Sequence, residues 1–351
     1  MTQTKTFSII KEKKGVLPMK YLLKQGNYYK ANLHTHSNIS DGVLSVEEMK
    51  AHYKAKGYQI LAMTDHNLTI PHNDLTEPDF LMITGVEADM PVANARKTCH
   101  LCMLSKDPNS TWIPFRDPDK LPHMAEYEKQ CQSEELPQGY SPENINRVIA
   151  KANEKGFLVT YNHPVWSLEY YEDYSRYEGL WGMEYFNSGT DAGGYEEDNG
   201  WVFREFLNMG RPLLPVMADD AHGIVNKRND YPYAPKAFTM VGAEKLEYGA
   251  VMEALEKGDM YSSNGPLIHS LSYENGTLKV TCSPAARICL MKNRRPYRMA
   301  WGEGITEAEF PMGKWYEINK DDPNAWFYLK ITAADGSYAV TKAYKPEDLA
   351  E

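Results

Sequence analysis

Six of the ten histidines in this 351-residue chain sit in short motifs shared with carboxylates, each closing or opening an apolar run. In order they read His34-Thr35-His36 with Asp41, Thr64-Asp65-His66, Gly85-Val86-Glu87, His100, Asn162-His163-Pro164 and Asp220-Ala221-His222. Neutral imidazole nitrogen and carboxylate oxygen are donors that divalent metals accept. A His-x-His pair on extended chain can place both rings on one side, because side chains repeat every second residue. Alone, His34 and His36 are weak evidence, since strand histidines are often merely exposed or hydrogen-bonded. The series of motifs is the pattern of a multi-metal hydrolytic site. Ions about 3.5–4 Å apart can share a hydroxide nucleophile, lower its pKa towards 7, and neutralise charge on a phosphoryl or carbonyl oxygen.

Residues so far apart in sequence need a scaffold that gathers them. Apolar runs of strand length lie at Tyr29–Leu33, Ile60–Met63, Leu81–Val86, Leu101–Leu104, Phe157–Tyr161, Met183–Phe186, Leu213–Ala218 and Phe238–Val241. Helical signals separate several of them. Ser45-Val46-Glu47-Glu48 reads as a capping box closed by Gly57, and Ser141-Pro142 as a cap with an N1 proline before a helix that stops at Gly156. Further helices are expected at Trp201–Met209, ended by Gly210, and at Tyr248–Leu255, ended near Gly258. Strands alternating with helices point to an α/β fold with a mainly parallel sheet, open or closed into a barrel, with most of the motif residues just past the strand ends. His100 instead opens its run, so either its strand runs the other way or ligation comes from the loop.

Beyond Gly265-Pro266 turn signals become dense and helical periodicity disappears. Asn275-Gly276 and Asp335-Gly336 mark two hairpins, so 266–351 reads as a small antiparallel β module behind a domain at 31–265, with 1–30 as an N-terminal extension. Asp107–Tyr140, rich in Pro, Asp and Glu, reads as a long loop serving as a lid or binding segment, or as a disordered insertion.

Composition narrows the function. A hydrophobic fraction of 42%, a charged fraction of 25% and short apolar runs describe a soluble globular protein with no bilayer span. Met1–Lys14 lacks the pattern of a secretory signal, and five unevenly spread cysteines do not suggest a disulfide framework, so a cytoplasmic location is expected. A net charge of −10 argues against an extended nucleic-acid surface. The oligomeric state is open.

The order and wording of the motifs resemble the PHP family, named for its polymerase and histidinol-phosphatase members. The resemblance covers roughly Ala31 to Gly265, in Asn32-Leu33-His34-Thr35-His36-Ser37, Ser40-Asp41-Gly42, Thr64-Asp65-His66, Thr84-Gly85-Val86-Glu87, His163-Pro164 and Asp220-Ala221-His222-Gly223. It implies a distorted (β/α)7 TIM-like barrel holding two or three divalent ions (zinc, manganese or iron), with the small C-terminal antiparallel β domain appended. The implied ligands are His34, His36, Asp41, His66, Glu87, His100, His163, Asp220 and His222. In that scheme His34, His36, Glu87 and Asp220 hold one ion, Glu87 bridges to a second held by His100 and His163, and Asp41, His66 and His222 hold the third. Gly182-Met183-Glu184-Tyr185-Phe186-Asn187 and Gly258–Pro266 look more loosely like the CehA/McbA-like branch, whose members carry a C-terminal β module.

The reading that follows is a metal-dependent phosphoesterase acting on a small phosphorylated or nucleotide-like substrate. Two alternatives stand beside it: a metal-dependent carbamate, ester or amide hydrolase, and a non-catalytic metal-binding interaction protein. Glu87 is central to catalysis as the bridging ligand. Asp65, beside His66, either gives a proton to the leaving alkoxide or only orients a ligand. Arg96 and Lys97 before His100, and Lys227 and Arg228 after His222, are phosphate contacts or solvated surface. Trp166 walls the pocket or packs in the core, and Asn187 ends its strand pointing into the site or away. Cys99-x-x-Cys102 is read as packing, and His52, His72, His123 and His269 as structural or surface residues.

Overall fold

The computed structural model describes residues 19–92, 97–226 and 230–350. The principal strands are β1 (Tyr29–Asn32), β2 (Ile60–Met63), β3 (Leu81–Pro91), β4 (Thr98–Ser105), β5 (Phe157–Tyr161), β6 (Gly182–Asn187), β7 (Leu214–Ala218), β8 (Phe238–Val241), β9 (Met260–Ser263), β10 (Ile268–Glu274), β11 (Thr277–Lys292), β12 (Arg298–Pro311), β13 (Phe327–Thr332) and β14 (Tyr338–Thr341). The principal helices are α1 (Val46–Ala55), α2 (Pro142–Glu154), α3 (Gly200–Asn208), α4 (Tyr248–Lys257) and α5 (Gly313–Asn319).

Helix starts follow local chemistry. The Ser45 hydroxyl accepts from Glu48 N while Ser45 N donates to the Glu48 carboxylate at 2.8 Å, completing the capping box of α1. The Ser141 hydroxyl caps α2 ahead of Pro142, and Gly156 beyond it takes φ +82°, a conformation that favours glycine. Strands β2 and β5 are buried along their whole length, as expected of strands covered on both faces, whereas β11 alternates buried and open positions.

One sheet runs through the molecule in the order Lys20–Tyr21, β10, β11, β13, β14, β9, β8, β1, β2, β3, β4, β5, β6, β7, with β12 pairing β11 at its side. Only β1/β2, β2/β3, β5/β6 and β6/β7 are parallel. The fold is mixed α/β, and the expectation of a mainly parallel sheet holds only around the motifs. A closed barrel is not shown, because the ladder is an open path. The segments that follow β1 and β7 nevertheless meet: His36 N donates to Ala221 O at 3.0 Å and Asp220 N to His34 O at 3.1 Å. A parallel bridge joins Thr35 to Ala221. These contacts bring together motifs nearly 190 positions apart.

Strand β4 is antiparallel to both β3 and β5. Its first residues therefore lie at the same sheet edge as the C-terminal end of β5, and His100 opens its strand while still joining the other motifs.

Gly265-Pro266 falls between β9 and β10, and the strands beyond it surround an apolar cluster of their own that includes Leu271, Val280, Leu290, Phe310, Phe327 and Ile331. Asn275 and Gly276 both take positive φ, +49° and +77°, as the β10/β11 hairpin requires. Helix α5 corrects the expectation that this region lacks helices. Trp315 anchors it, packing edge-on against Phe327 and giving a short helix its buried side. The 107–140 segment is ordered, which overturns the disordered alternative. It holds the short strands Trp112–Ile113 and Gln132–Ser133 and the helix Met124–Glu128. It is tied down by Thr84 Oγ1 to Pro108 O at 2.8 Å and Thr69 Oγ1 to Trp112 O at 2.7 Å.

Candidate metal centre

At the sheet edge described above, four atoms crowd together. His34 Nε2 lies 3.1 Å from His36 Nε2, 3.2 Å from Glu87 Oε2 and 3.2 Å from Asp220 Oδ1. His36 Nε2 lies 3.2 Å from Glu87 Oε2 and 3.1 Å from Asp220 Oδ1. A tetrahedral ion with bonds of about 2.0–2.1 Å separates its donors by about 3.3–3.4 Å. The four atoms are close to that spacing.

Orphaned atoms sharpen the fit. Glu87 Oε2, Asp220 Oδ1, His36 Nδ1 and His66 Nδ1 are buried and make no hydrogen bond. Buried polar atoms are almost always paired, because an unpaired one costs about 1–3 kcal/mol. Four such atoms on four neighbouring candidate ligands fit a cation that supplies the missing partner.

Around this set are three more groupings whose donor atoms could share an ion: His36, Asp41, His66 and His222; His66, Glu87 and His100; and His34, His163 and Glu184. Glu87 is the hub, since Oε1 meets His100 Nδ1 at 3.1 Å and His163 Nε2 at 3.2 Å while Oε2 faces His34, His36 and His66. The grouping at Asp41 is looser, with His222 Nε2 at 3.2 Å, His36 Nδ1 at 3.7 Å and His66 Nε2 at 3.8 Å from its oxygens. It is also more open: the Asp41 side chain is 40% exposed and that of His222 34%, against 1% or less for His34, His36 and Glu87. All nine residues implied by the resemblance fall within one continuous cluster, and the groupings share His36 and His66 more freely than the three-ion partition expected.

The electrostatics are those of charges forced into contact. Burial acts to lower the pKa of His34, His36 and His100, but the carboxylates around them outweigh it, holding His34 and His100 well above the usual histidine value and His36 at about 10. Burial likewise acts to raise Glu87 and Asp220, and the imidazoles, His34 first, hold both well below the carboxylate range. His66 is the exception, pushed down to about 4 by burial and by His36. Cations neutralise these carboxylates only where the histidines give up their protons, so ion uptake and proton release are coupled.

Two residues missed by the sequence reading orient the ligands. Glu184, buried on β6, meets His34 Nδ1 through Oε1 at 2.7 Å. Its Oε2 accepts from the His163 backbone N–H at 3.0 Å and from Asn187 Nδ2 at 2.9 Å. Holding the His34 proton on Nδ1 leaves Nε2 free as a lone pair towards the cluster. Asp89 does the same from the other side, its Oδ1 lying 2.9 Å from His100 Nε2. The signal for Glu184 was a carboxylate inside an otherwise uncharged strand run, since unpaired buried glutamates are rare. Two candidate ligands also have strained backbones, His163 at φ +21° and Asp220 at φ +51°. The Glu184 bond to His163 N and the Asn187 bond to Asp220 Oδ2 at 3.2 Å hold both in place.

The remaining expected site residues are placed as follows. Asp65 is buried, with Oδ1 accepting from Ser37 N at 2.8 Å and Ser40 Oγ at 2.7 Å, and Oδ2 from Ser37 Oγ at 2.9 Å. It braces the turn that carries Asp41 and belongs to none of the four groupings. Asn187 does not open towards substrate, because its amide is committed to Glu184 and Asp220 and its Oδ1 accepts from Thr190 N. Lys97 is engaged elsewhere, 2.8 Å from Asp173 Oδ2. Arg96, Lys227 and Arg228 lie outside the described residues. Trp166 is half-buried, with its ring 5.1 Å from that of His100 and 4.9 Å from that of His163. Cys99 and Cys102 are buried on β4 and form no disulfide. His123, read as a structural or surface residue, meets Ser40 O at 2.9 Å and pins the 107–140 segment beside Asp41.

Comparison with known proteins gives a match of residues 32–192 to the model of the PHP domain. A search of curated proteins returns no match. Among solved structures, one similar chain is a two-domain protein from Bacteroides vulgatus containing a predicted PHP-like metal-dependent phosphoesterase. It is 15% identical, covering 94% of this chain and 97% of that one, with a TM-score of 0.43. Another is an amidohydrolase from Chromobacterium violaceum with bound sulfate and no metal, 16% identical over 66% of this chain and 96% of that one, with a TM-score of 0.37. None of these separates out the CehA/McbA-like branch. Among the described residues no helix is long and apolar enough to cross a membrane.

Proposed function

We propose, from the premise that this chain carries a PHP domain, that it is a metal-dependent hydrolase whose reaction is cleavage of a phosphoester of a small molecule: ester and water yield an alcohol and a phosphate. The observation that carries the reading is the convergence of orphaned, buried donor atoms on Glu87 and Asp220. Two or three divalent ions, when bound, would supply Lewis acidity and a more acidic water.

The chain's own residues divide the remaining work. His34, His36, Glu87 and Asp220 would hold the most deeply buried ion, and Glu87 would also serve the ion beside His100 and His163. Asp41, His66 and His222 would hold an ion at the open end, where substrate can arrive. Glu184 and Asp89 fix the ring orientations. Asp65, with both oxygens already taken by Ser37 and Ser40, holds the Asp41 turn rather than moving a proton. Mixed imidazole and carboxylate donors suit zinc, manganese and iron alike.

A second reading, hydrolysis of an ester, amide or carbamate, is favoured by one feature of the surroundings. Of the four basic residues expected to meet a phosphate, Arg96, Lys97, Lys227 and Arg228, Lys97 is the one among the described residues, and it is paired with Asp173; Lys120 on the 107–140 segment is paired with Glu128 at 3.2 Å. The deciding experiment loads the purified protein with zinc, manganese or iron and assays p-nitrophenyl phosphate, bis(p-nitrophenyl) phosphate and p-nitrophenyl acetate. Turnover of a phosphate ester that tracks metal content supports the proposal. Turnover of acetate alone moves the assignment to the second reading, and no turnover with full metal occupancy defeats both.

A further inference from the structure

The loop that follows His163 is built to present an aromatic face. Trp166 N donates to Glu197 Oε1 at 2.7 Å, and Glu197 is fully buried and held in turn by Asn199 Nδ2 at 2.6 Å. One residue on, Ser167 Oγ meets His163 Nδ1 at 3.2 Å, and Ser167 N donates to His163 O at 3.0 Å. These bonds fix the loop that carries the indole to a candidate ligand, and the ring lies edge-on to His163 and tilted to His100. It remains partly open to solvent.

Exposed apolar residues stand near the motif residues in the chain. Val165 and Leu168 on this loop are exposed, and Leu168 adopts φ +57°, a conformation uncommon for a branched residue. On the other side of the cluster Val43, two residues past Asp41, is also exposed, with its N–H given to His222 O at 2.9 Å. Large apolar side chains therefore stand in the chain directly after His163 and after Asp41. Among the described residues, Asp89 and Asp41 beside the cluster are both part-exposed, and Lys97 is paired with Asp173.

We infer that the substrate carries a neutral, apolar ring next to the bond that is hydrolysed, and that Trp166 is the face on which this ring rests. The inference rests on the hydrolase reading and names its substrate class. An indole beside the candidate metal centre offers a flat apolar face on which an apolar ring can stack.

The test compares benzyl phosphate with 2-hydroxyethyl phosphate, primary-alcohol esters that release the same phosphate. Benzyl phosphate is expected to show a kcat/KM at least about tenfold higher, the scale on which apolar pockets discriminate. Trp166→Ala should bring the ratio of the two substrates towards one, mainly through KM for benzyl phosphate, and Trp166→Phe should restore it. If Trp166→Ala fails to fold, Leu168→Asp on an exposed position should lower the same ratio. Equal efficiency on both esters, with a ratio that no variant moves, overturns the inference and leaves the hydrolase reading standing. Hydrolysis of neither ester counts against the hydrolase reading itself. Inhibitor binding then decides the inference: phenylphosphonate binding the metal-loaded protein at least about tenfold more tightly than methylphosphonate, with the margin lost in Trp166→Ala, supports it, and equal binding overturns it.

Discussion

Two buried polar regions share the loop 163–170 and are built on opposite plans. At its start His163 joins a cluster in which carboxylates are held ionised by imidazoles and several donor atoms point at one another unpaired. At its end Glu169 sits among tyrosines, accepting from the Tyr140 hydroxyl at 2.7 Å and from that of Tyr177. Burial pushes Glu169 up to about 7, whereas the same burial fails to raise Glu87. The difference teaches that depth alone does not decide the charge of a core carboxylate. Glu87 stays charged because opposite charges surround it, and Glu169 moves towards its neutral form because burial outweighs the tyrosine hydroxyls that bond it and Asp173 adds a like charge.

The most damaging change should be Glu87→Gln. An amide offers one acceptor where the carboxylate offers two, so the contacts to His100 and His163 on one side and to His34 and His36 on the other cannot both persist. Metal content, read by elemental analysis, should drop by more than one ion, and turnover should fall roughly 10³-fold or more, as expected when cation polarisation worth several kcal/mol is lost. Retention of full metal content would show that Glu87 is not the hub.

Asp41→Asn separates the open end from the buried core. Its oxygens are 3.2–3.8 Å from the neighbouring imidazoles and its side chain is 40% exposed, so the site can relax around the change. One ion should be lost while the buried set keeps its own, with turnover reduced about 10²-fold. Loss of every ion would mean that the groupings form one cooperative unit.

Glu184→Gln keeps the shape and removes one acceptor. The amide nitrogen must then face a donor, either His34 Nδ1–H, the His163 N–H or the Asn187 amide. Partners of this kind are worth about 10–100-fold in metal affinity. Titration calorimetry should show that loss, and imidazole NMR should show the His34 proton leaving Nδ1. An unchanged His34 tautomer would remove Glu184 from the orienting role.

Much of the site is legible in the chain because its residues carry a local mark. A histidine or carboxylate at the end of an apolar strand is visible in sequence, and periodicity and capping mark the strands and helices of the motif-bearing region to within a few residues for similar reasons. What could not be read was long-range pairing. Nothing in Phe238–Val241 says that it pairs antiparallel with β1. Partner choice hid functional detail in the same way: Asn187 and Lys97 have the chemistry to meet a substrate, but Glu184, Asp220 and Asp173 claim them first. Asp89 and Glu184 were missed because their roles depend on which ring nitrogen they face.

The smallest effect is expected in the tyrosine chamber, where Glu169→Gln tests the other half of the comparison. In the unfolded chain this carboxyl titrates near 4.5, and in the folded protein near 7. Between those values the native state keeps a proton that the unfolded state has released. Stability therefore falls as pH rises through this window, by at most about 1.4 kcal/mol per pH unit, and the effect is constant above about 7. Glutamine is neutral throughout, so the variant's melting temperature should depend less steeply on pH between 5 and 7 than the parent's. Saturating cation in both samples keeps the contribution of the cluster equal. Parallel pH profiles would show that Glu169 is as ionised in the fold as in the unfolded chain, and the contrast between surrounding imidazoles and surrounding hydroxyls would lose its physical basis.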